Sequence, residues 1–236
     1  MTYLVRRTPA PPSLADELDE GAWGKAPELR VASYRPESSA HRPVTRAKLL
    51  YDVTSLYVQF RVHDRYVRCV NGGFGGPVWE DSCVEFFFQP AGVKGYFNLE
   101  MNCGGAFTCS YVEDPTRTGS GFARSTRLTE EQARRIGLRS SIPGVLREEL
   151  PGPVAWSVSA AIPLSVVEAY AGPVGDPGGQ SWRGNFFKCA DRCSHPHWGS
   201  WASVGDLDFH RPQDFGTLQF EAPPTVTHGP SSAPSR

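Results

Sequence analysis

The sequence predicts an all-β fold: a two-sheet antiparallel β-sandwich of the jelly-roll or immunoglobulin-like type, with one or two short helices. Two observations lead to this prediction. Short apolar runs recur between turn residues along most of the chain. The composition combines turn formers (24 Gly and 21 Pro) with strand-forming aromatics (13 Phe, 8 Tyr and 6 Trp). A chain of 236 residues is long enough to enclose a sizeable core.

The clearest pair of strands is predicted at 47–53 and 55–64. In the second strand, apolar residues alternate with polar or partly polar ones, so one face should be buried; the apolar positions are Leu56, Val58, Phe60 and Val62. The link at 52–55 is short, which predicts a hairpin.

Further strand-like runs follow along the chain, at 83–89, 95–103, 105–112, 155–163, 185–191 and 215–221. Two short helices are also expected. The segment 129–138 opens with Thr129 as a candidate N-cap, and Pro163 stands at the start of the second helix, 163–170.

Both ends of the chain differ from this pattern, because they are rich in Pro or Ser and poor in large hydrophobic residues. We therefore predict a flexible N-terminal segment over residues 1–13 and a disordered C-terminal tail over 222–236. The region between them, 14–221, should form one domain.

Charge and hydropathy exclude several classes of partner. The formal net charge is −1, without a block of five or more like charges, so no nucleic-acid partner is expected. No apolar run approaches the roughly 18 residues of a membrane span. The first residues lack a secretory signal, which predicts a cytoplasmic protein, or an extracytoplasmic one if a leader was removed. In the cytoplasm the 6 cysteines should be mainly free thiols.

Acidic residues cluster ahead of a phenylalanine run in the segment 77–90, PVWEDSCVEFFFQP. Asp81 and Glu85 would lie roughly 13 Å apart along one strand, whereas the acid pairs of glycosidases need about 5–9.5 Å. Glu80 and Asp81 point to opposite faces of a strand. This strand alone therefore holds no hydrolytic pair, although an acid from another strand could complete one. The plain alternative is a charged strand end.

A second cluster, CADRCSHPHW at 189–198, contains four residues of zinc-ligand type. Their spacing matches no standard zinc knuckle or finger, and Pro196 stiffens the chain between the two histidines. The alternative is a loop in which His195 or His197 hydrogen-bonds to the backbone or caps a neighbouring strand.

Taken together, several stretches resemble the family 9 carbohydrate-binding modules, in particular free-standing bacterial members. The most specific are PVWEDSCVEFFF at 77–88 and GYFNLEMNCGG at 95–105, and the resemblance covers roughly 14–221. It implies a β-sandwich that binds the reducing ends of plant polysaccharides, or short sugars such as cellobiose, without cleaving them. No cofactor is required, although structural calcium is common in the family.

The resemblance also implies a ligand-binding site. Trp79 matches one of two aromatic side chains that enclose the sugar, and Phe209 matches the second, which is a tryptophan in well-studied members. Glu85 matches a carboxylate that binds hydroxyls. Asp206 stands where the family has an asparagine, and Asn98 stands where it has an arginine.

The predicted function is thus non-catalytic binding of a mono- or oligosaccharide. The sugar would stack between aromatic rings while carboxylate and amide groups hold its hydroxyls. Two other hypotheses stay open. One is a glycan-processing hydrolase that uses the carboxylates of residues 80–85. The other is an interaction module whose sugar site has decayed, which predicts a filled or closed cleft.

Overall fold

The computed structural model describes residues 1–119 and 121–223, which form a mostly β structure with two short α-helices. The strands are β1 (Thr2–Arg7), β2 (Leu29–Val31), β3 (Ser33–Tyr34), β4 (Val44–Tyr51), β5 (Ser55–Asp64), β6 (Cys83–Gln89), β7 (Tyr96–Asn102), β8 (Phe107–Thr118), β9 (Gly121–Arg127), β10 (Gly137–Ser140), β11 (Val154–Pro163), β12 (Ser181–Ala190), β13 (His197–Ser200) and β14 (Gly216–Phe220). The helices are α1 (Glu130–Ala133) and α2 (Leu164–Ala171). Among the described residues, no helix is long and apolar enough to cross a membrane.

The strands join into one mixed sheet in the order β10-β11-β5-β4-β1-β14-β12-β6-β7-β8-β9. At its side, β2 pairs with β4, and β13 pairs with both β12 and β3. Strand β1 lies parallel to β14 over its first residues and parallel to β4 at its end. The sequence had suggested an antiparallel fold, but these two parallel pairings make the sheet mixed. Strand β1 also links the two halves of the sheet.

The N-terminal segment 1–13, expected to be flexible, instead begins with strand β1. Tyr3 and Val5 alternate with exposed residues and are buried in the main core. Tyr3 pairs with Leu218 of β14, and this long-range pairing gives the short strand the backbone partners that its own sequence cannot supply. Of the predicted disordered tail, residues 224–236 lie outside the described residues.

The phenylalanine run of β6 is buried on both faces. Phe86 and Phe88 belong to the main hydrophobic core, in which Phe86 stacks on Phe186 with ring centroids 4.9 Å apart. Phe87 points to the opposite face and joins a second buried cluster that includes Phe187. This second cluster lies beneath the cleft described below, so β6 serves both the core and the candidate site.

The predicted hairpin and both predicted helices are present. β4 and β5 pair in antiparallel register, and Asp52 holds the turn by accepting hydrogen bonds from the backbone N–H groups of Thr54 (2.7 Å) and Ser55 (2.9 Å). Helix α1 starts with the expected cap, a capping box between Thr129 and Gln132. It ends before residue 138 because the chain from Gly137 onward pairs with β11 instead.

A network of charged and polar side chains is buried on the core side of β12. The Lys188 ammonium lies 3.5 Å from Asp64 Oδ2 and donates to His197 Nε2 at 2.8 Å. His197 donates through Nδ1 to the His195 carbonyl at 2.9 Å, so its imidazole is neutral. Burial, followed by the charge of Lys188, lowers the pKa of His197 to about 2. Burial alone would raise the pKa of Asp64, but Lys188 and His41 outweigh it and hold that pKa well below its usual range.

Because His197 stays neutral in the fold but takes up a proton in the unfolded chain, it should make stability pH-dependent. Its contribution is complete above the unfolded pKa of about 6.5 and is lost as pH falls toward the folded value. The stability advantage of the wild type over His197→Gln should therefore shrink by about 1.4 kcal/mol per pH unit between pH 6 and 4.5. Urea unfolding at several pH values measures it. The exposed His63, changed to Gln, is the control. Parallel pH curves for wild type and His197→Gln would contradict the assignment.

Candidate functional site

A cleft of about 860 Å³ opens over the sheet face that carries the second buried cluster. Its floor is formed by outward-facing side chains of β6, β7, β8 and β12. Its walls come from strand β9, from the 3₁₀ turn Val78–Glu80, and from the loops around residues 191–198 and 207–210. The cleft therefore collects residues from distant parts of the chain.

Two buried carboxyl groups lie side by side on the floor. Glu85 of β6 and Glu100 of β7 are directly opposite in the antiparallel register, and each side chain is almost completely buried. The Asn98 amide donates to Glu100 Oε1 at 2.8 Å and accepts from the Ser110 backbone N–H at 2.8 Å. The Cys189 thiol donates to Glu85 Oε1 at 3.1 Å. Both carboxyls are thus held in place by protein groups.

Burial changes the acidity of this pair. It raises the pKa of Glu85 well above the usual range, with Cys189 and the facing Glu100 as further causes. Burial likewise raises the pKa of Glu100 to about 7, although the hydrogen bond from Asn98 acts in the opposite direction. A carboxyl that keeps its proton can donate as well as accept hydrogen bonds, as an alcohol hydroxyl does.

Trp79 offers an indole to the cleft with 39% of its surface exposed. It lies on the 3₁₀ turn, next to Val78, which is fully buried in the second cluster. The Trp79 carbonyl accepts a hydrogen bond of 3.1 Å from the Asp191 backbone N–H. The inward Val78 and this bond fix the turn, so that Trp79 points outward.

Gly73 and Gly75 position the chain that leads to this turn. Both have positive φ values, 76° and 83°, which other residues adopt only with strain. The two glycines exchange backbone hydrogen bonds with Phe107 of β8. The glycine-rich segment 71–77 is therefore anchored to the sheet.

Trp198 is a second tryptophan at the cleft, and the sequence did not identify it. It lies on β13 opposite Cys189 of β12, and its indole N–H donates to Asp191 Oδ1 at 2.7 Å. Asp191 therefore contacts both cleft tryptophans. The short strand β13 follows a Cys- and His-rich loop and has too few residues to show an alternating pattern. Trp198 can therefore be placed at the cleft only from the pairing of β13 with β12.

The structure brings four of the five predicted site residues to this cleft: Trp79, Glu85, Asn98 and Phe209. Phe209 is 8% exposed and stacks on Phe187 with centroids 4.1 Å apart, so it supports the wall rather than offering an open ring face.

Asp206 is exposed and lies outside the cleft lining, where its carboxylate accepts from the backbone N–H of Leu207. Asp208 lines the cleft instead and forms an ion pair with Arg117 at 3.0 Å. The loop 201–211 has no regular strand to fix which carboxylate points inward, and the cleft lining contains Asp208 rather than the Asp206 that the resemblance implied.

Glu80 and Asp81 have structural roles outside the cleft lining. Glu80 forms an ion pair with Arg192 at 3.1 Å. Asp81 is fully buried, and both of its oxygens accept hydrogen bonds from protein groups, including Arg68 and Asn102. Neither carboxylate is therefore placed to act on a ligand in the cleft.

The residues of zinc-ligand type in segment 189–198 do not converge on one point. Cys193 contacts the Ala190 carbonyl, His195 stacks on Tyr66, and His197 faces Lys188. Across residues 1–119 and 121–223, the group of three His, Cys, Asp or Glu side chains that could share a metal ion is Cys83, Glu85 and Cys189. Calcium prefers six to eight oxygen ligands, so this group does not fit it, and structural calcium stays a prediction.

A mostly β module with an open, aromatic-walled cleft over polar floor groups is typical of proteins that bind carbohydrates. The sequence profile of carbohydrate-binding family 9 matches residues 23–220, and the chain belongs to this family. The match covers nearly all of the region in which the sequence resemblance was found.

Solved structures agree with this assignment. A candidate carbohydrate-binding protein from Bacteroides uniformis is 28% identical, with a TM-score of 0.79 over 93% of this chain and 99% of that one. Two structures of a family 9 module from Caldicellulosiruptor kristjanssonii are 14% identical and share the fold. The complex with glucose has a TM-score of 0.60 and covers 97% of this chain and 100% of that one. The cellotriose complex has a TM-score of 0.63, covering 99% and 100%. No curated protein matches the chain.

Proposed function

We propose that this protein binds a short gluco-oligosaccharide in the cleft without cleaving it. The observation that carries the proposal is the exposed Trp79 indole beside the buried carboxyl pair Glu85 and Glu100. One face of a pyranose presents C–H groups that pack against an aromatic ring and leave water. Its hydroxyls need replacement partners, which the carboxyls supply. The glucose and cellotriose bound by the Caldicellulosiruptor module favour this sugar class.

Each side chain then has a distinct role. Trp79 stacks on the sugar ring, and Trp198 forms the second aromatic wall in the place first given to Phe209. Glu85 and Glu100 hydrogen-bond to hydroxyls. Asn98 acts as a positioning residue, because both ends of its amide already bind protein groups and hold Glu100.

The two alternative functions stand differently. The hydrolase hypothesis loses Glu80 and Asp81, because neither carboxylate lines the cleft, but Glu85 lines it and faces Glu100, so the cleavage assay below separates hydrolysis from binding. A decayed site predicts a closed or filled groove, whereas this cleft encloses about 860 Å³.

We also propose that the two halves of the mixed sheet form the two layers of a β-sandwich. Residues from both halves share the main hydrophobic core. Phe60 of β5 and Phe186 of β12 contact each other across it, with centroids 6.0 Å apart. Such packing places the cleft on the outer face of one layer.

Calorimetry with glucose, cellobiose and cellotriose, in the presence of a chelator, tests the proposed function. We expect one site per chain and no release of new reducing ends. Glu100→Gln should weaken binding roughly 5-fold, a loss of about 1 kcal/mol, because the amide keeps the bond to Asn98 but alters the hydrogen bond to the sugar. Glu113→Gln, on β8 but outside the cleft lining, is the matched control. Absence of heat with all three sugars would refute the proposal, and cleavage of cellotriose would favour an enzyme.

A further inference from the structure

Two thiols and one carboxyl group meet in the floor of the cleft. Cys83 of β6 lies directly opposite Cys189 of β12 in the antiparallel register. Glu85 follows two residues after Cys83 and therefore points to the same face of the sheet. The ligand atoms of these three side chains all lie within 4.8 Å of one another, and Cys189 Sγ is 3.1 Å from Glu85 Oε1.

We propose that Cys83, Glu85 and Cys189 form a binding site for a thiophilic divalent cation of the zinc class. Two thiolates and a carboxylate are ligands that zinc accepts, and three protein ligands leave a fourth position for water or another small ligand. In tetrahedral zinc sites the two sulfurs stand about 3.8 Å apart. The two sulfurs lie within 4.8 Å of each other, so small side-chain rotations would bring them to that spacing.

The location gives an ion a route of entry. Glu85 and Cys189 both line the open cleft, whereas Cys83 is fully buried beneath them. An ion arriving from solvent would meet Glu85 and Cys189 first and then Cys83. Its fourth position would point toward the space proposed for the sugar, so the ion could contact a sugar hydroxyl.

Other cysteines of the chain lack this combination. Cys69 and Cys103 form a second thiol pair, but no carboxylate completes a group of three with them among the described residues. Cys193 contacts a backbone carbonyl in a loop, away from the group. The proposal therefore depends on the carboxylate that β6 places beside the two facing cysteines.

Cobalt titration of the reduced, metal-free protein tests the site without sugar. We expect one Co²⁺ per chain, with thiolate-to-cobalt charge-transfer absorption and the visible bands of tetrahedral cobalt, both displaced by Zn²⁺. Cys189→Ser should abolish the charge-transfer contribution of that sulfur and weaken binding by more than the roughly 10–100-fold that loss of an outer-shell partner costs. Glu85→Gln should weaken binding while the thiolate absorption persists.

Cys193→Ser is the matched control and should bind cobalt as the wild type does. Because Cys83→Ser alters a buried position that does not line the cleft, Cys189→Ser and Glu85→Gln, which alter side chains of the cleft lining, keep the test decisive if Cys83→Ser does not fold. Absence of thiolate absorption in the reduced wild type would overturn the proposal, as would unchanged absorption in Cys189→Ser or its loss in Cys193→Ser. Sugar calorimetry in chelator is independent of this result, so the two proposals can fail separately.

Discussion

Trp79→Ala is expected to weaken cellotriose binding about 30-fold while leaving the protein folded. Stacking a pyranose on an indole buries apolar surface on both partners, and losing it should cost about 2 kcal/mol. The folded state depends little on this ring, because 39% of it is exposed and the neighbouring Val78 holds the turn in the core. The unfolding free energy should fall by about 1 kcal/mol or less.

Calorimetry and urea unfolding of the same preparations separate these two effects. Trp79→Phe keeps a smaller aromatic face and should recover part of the affinity. Val53→Ala removes an exposed apolar side chain from the β4–β5 turn, outside the cleft lining, and should leave binding unchanged. If Trp79→Ala binds cellotriose as tightly as the wild type does, the indole is not the sugar platform.

The family resemblance brought Trp79 and Glu85 to the proposed cleft, whereas residues at its rim were harder to place. Glu85 lies on β6, whose pairing with the next strand could be predicted from the sequence, but Trp79 lies on the 3₁₀ turn before it, which strand alternation does not place. Glu100 could have been found by the same reasoning, because it faces Glu85 in the β6–β7 hairpin. Trp198 and Asp208 could not, since each depends on a short strand or loop whose placement is set by contacts with distant parts of the chain.

The fold shows the same difference between features set by local sequence and features set by contacts with distant parts of the chain. Strands with local partners, such as β4 and β5, were predicted within a few residues because alternation and turn chemistry act over short distances. Strand β1 was missed because its partners, β14 and the end of β4, lie far away in sequence. The Pro-rich residues that follow it also give the whole N-terminal segment a disordered composition. A parallel pairing between chain ends leaves no local signal.

Glu80 and Asp81 show how adjacent residues of similar chemistry acquire different roles. The Glu80 carboxylate is partly exposed and pairs with a guanidinium, Arg192, that is largely in solvent. Asp81 starts the extended chain that leads into β6, and it is fully buried. The sequence alone makes both residues candidate acids. In the structure, Glu80 forms an ion pair near the surface, whereas the buried Asp81 accepts hydrogen bonds that hold the surrounding chain.

Asp81→Asn is expected to destabilise the protein by about 3–5 kcal/mol, which lowers the melting temperature by roughly 10 °C. The carboxylate accepts from Arg68 and from the backbone N–H groups of Val70 (3.1 Å) and Asn71 (2.9 Å). It also accepts from the Asn102 side chain at 2.9 Å. An amide at this position turns one acceptor into a donor and leaves the Arg68 charge without its partner. The donors that face the new amide nitrogen would then be left unsatisfied.

Glu80→Gln provides the matched comparison, because it makes the same chemical change one residue earlier. The loss there should stay below about 1 kcal/mol, since exposed ion pairs contribute little. Thermal and urea unfolding should therefore show a several-fold larger loss of stability for Asp81→Asn than for Glu80→Gln. Equal effects would mean that the donors around Asp81 find other partners. A large difference would establish that this acid, and not its neighbour, holds the loop 68–71 against β7.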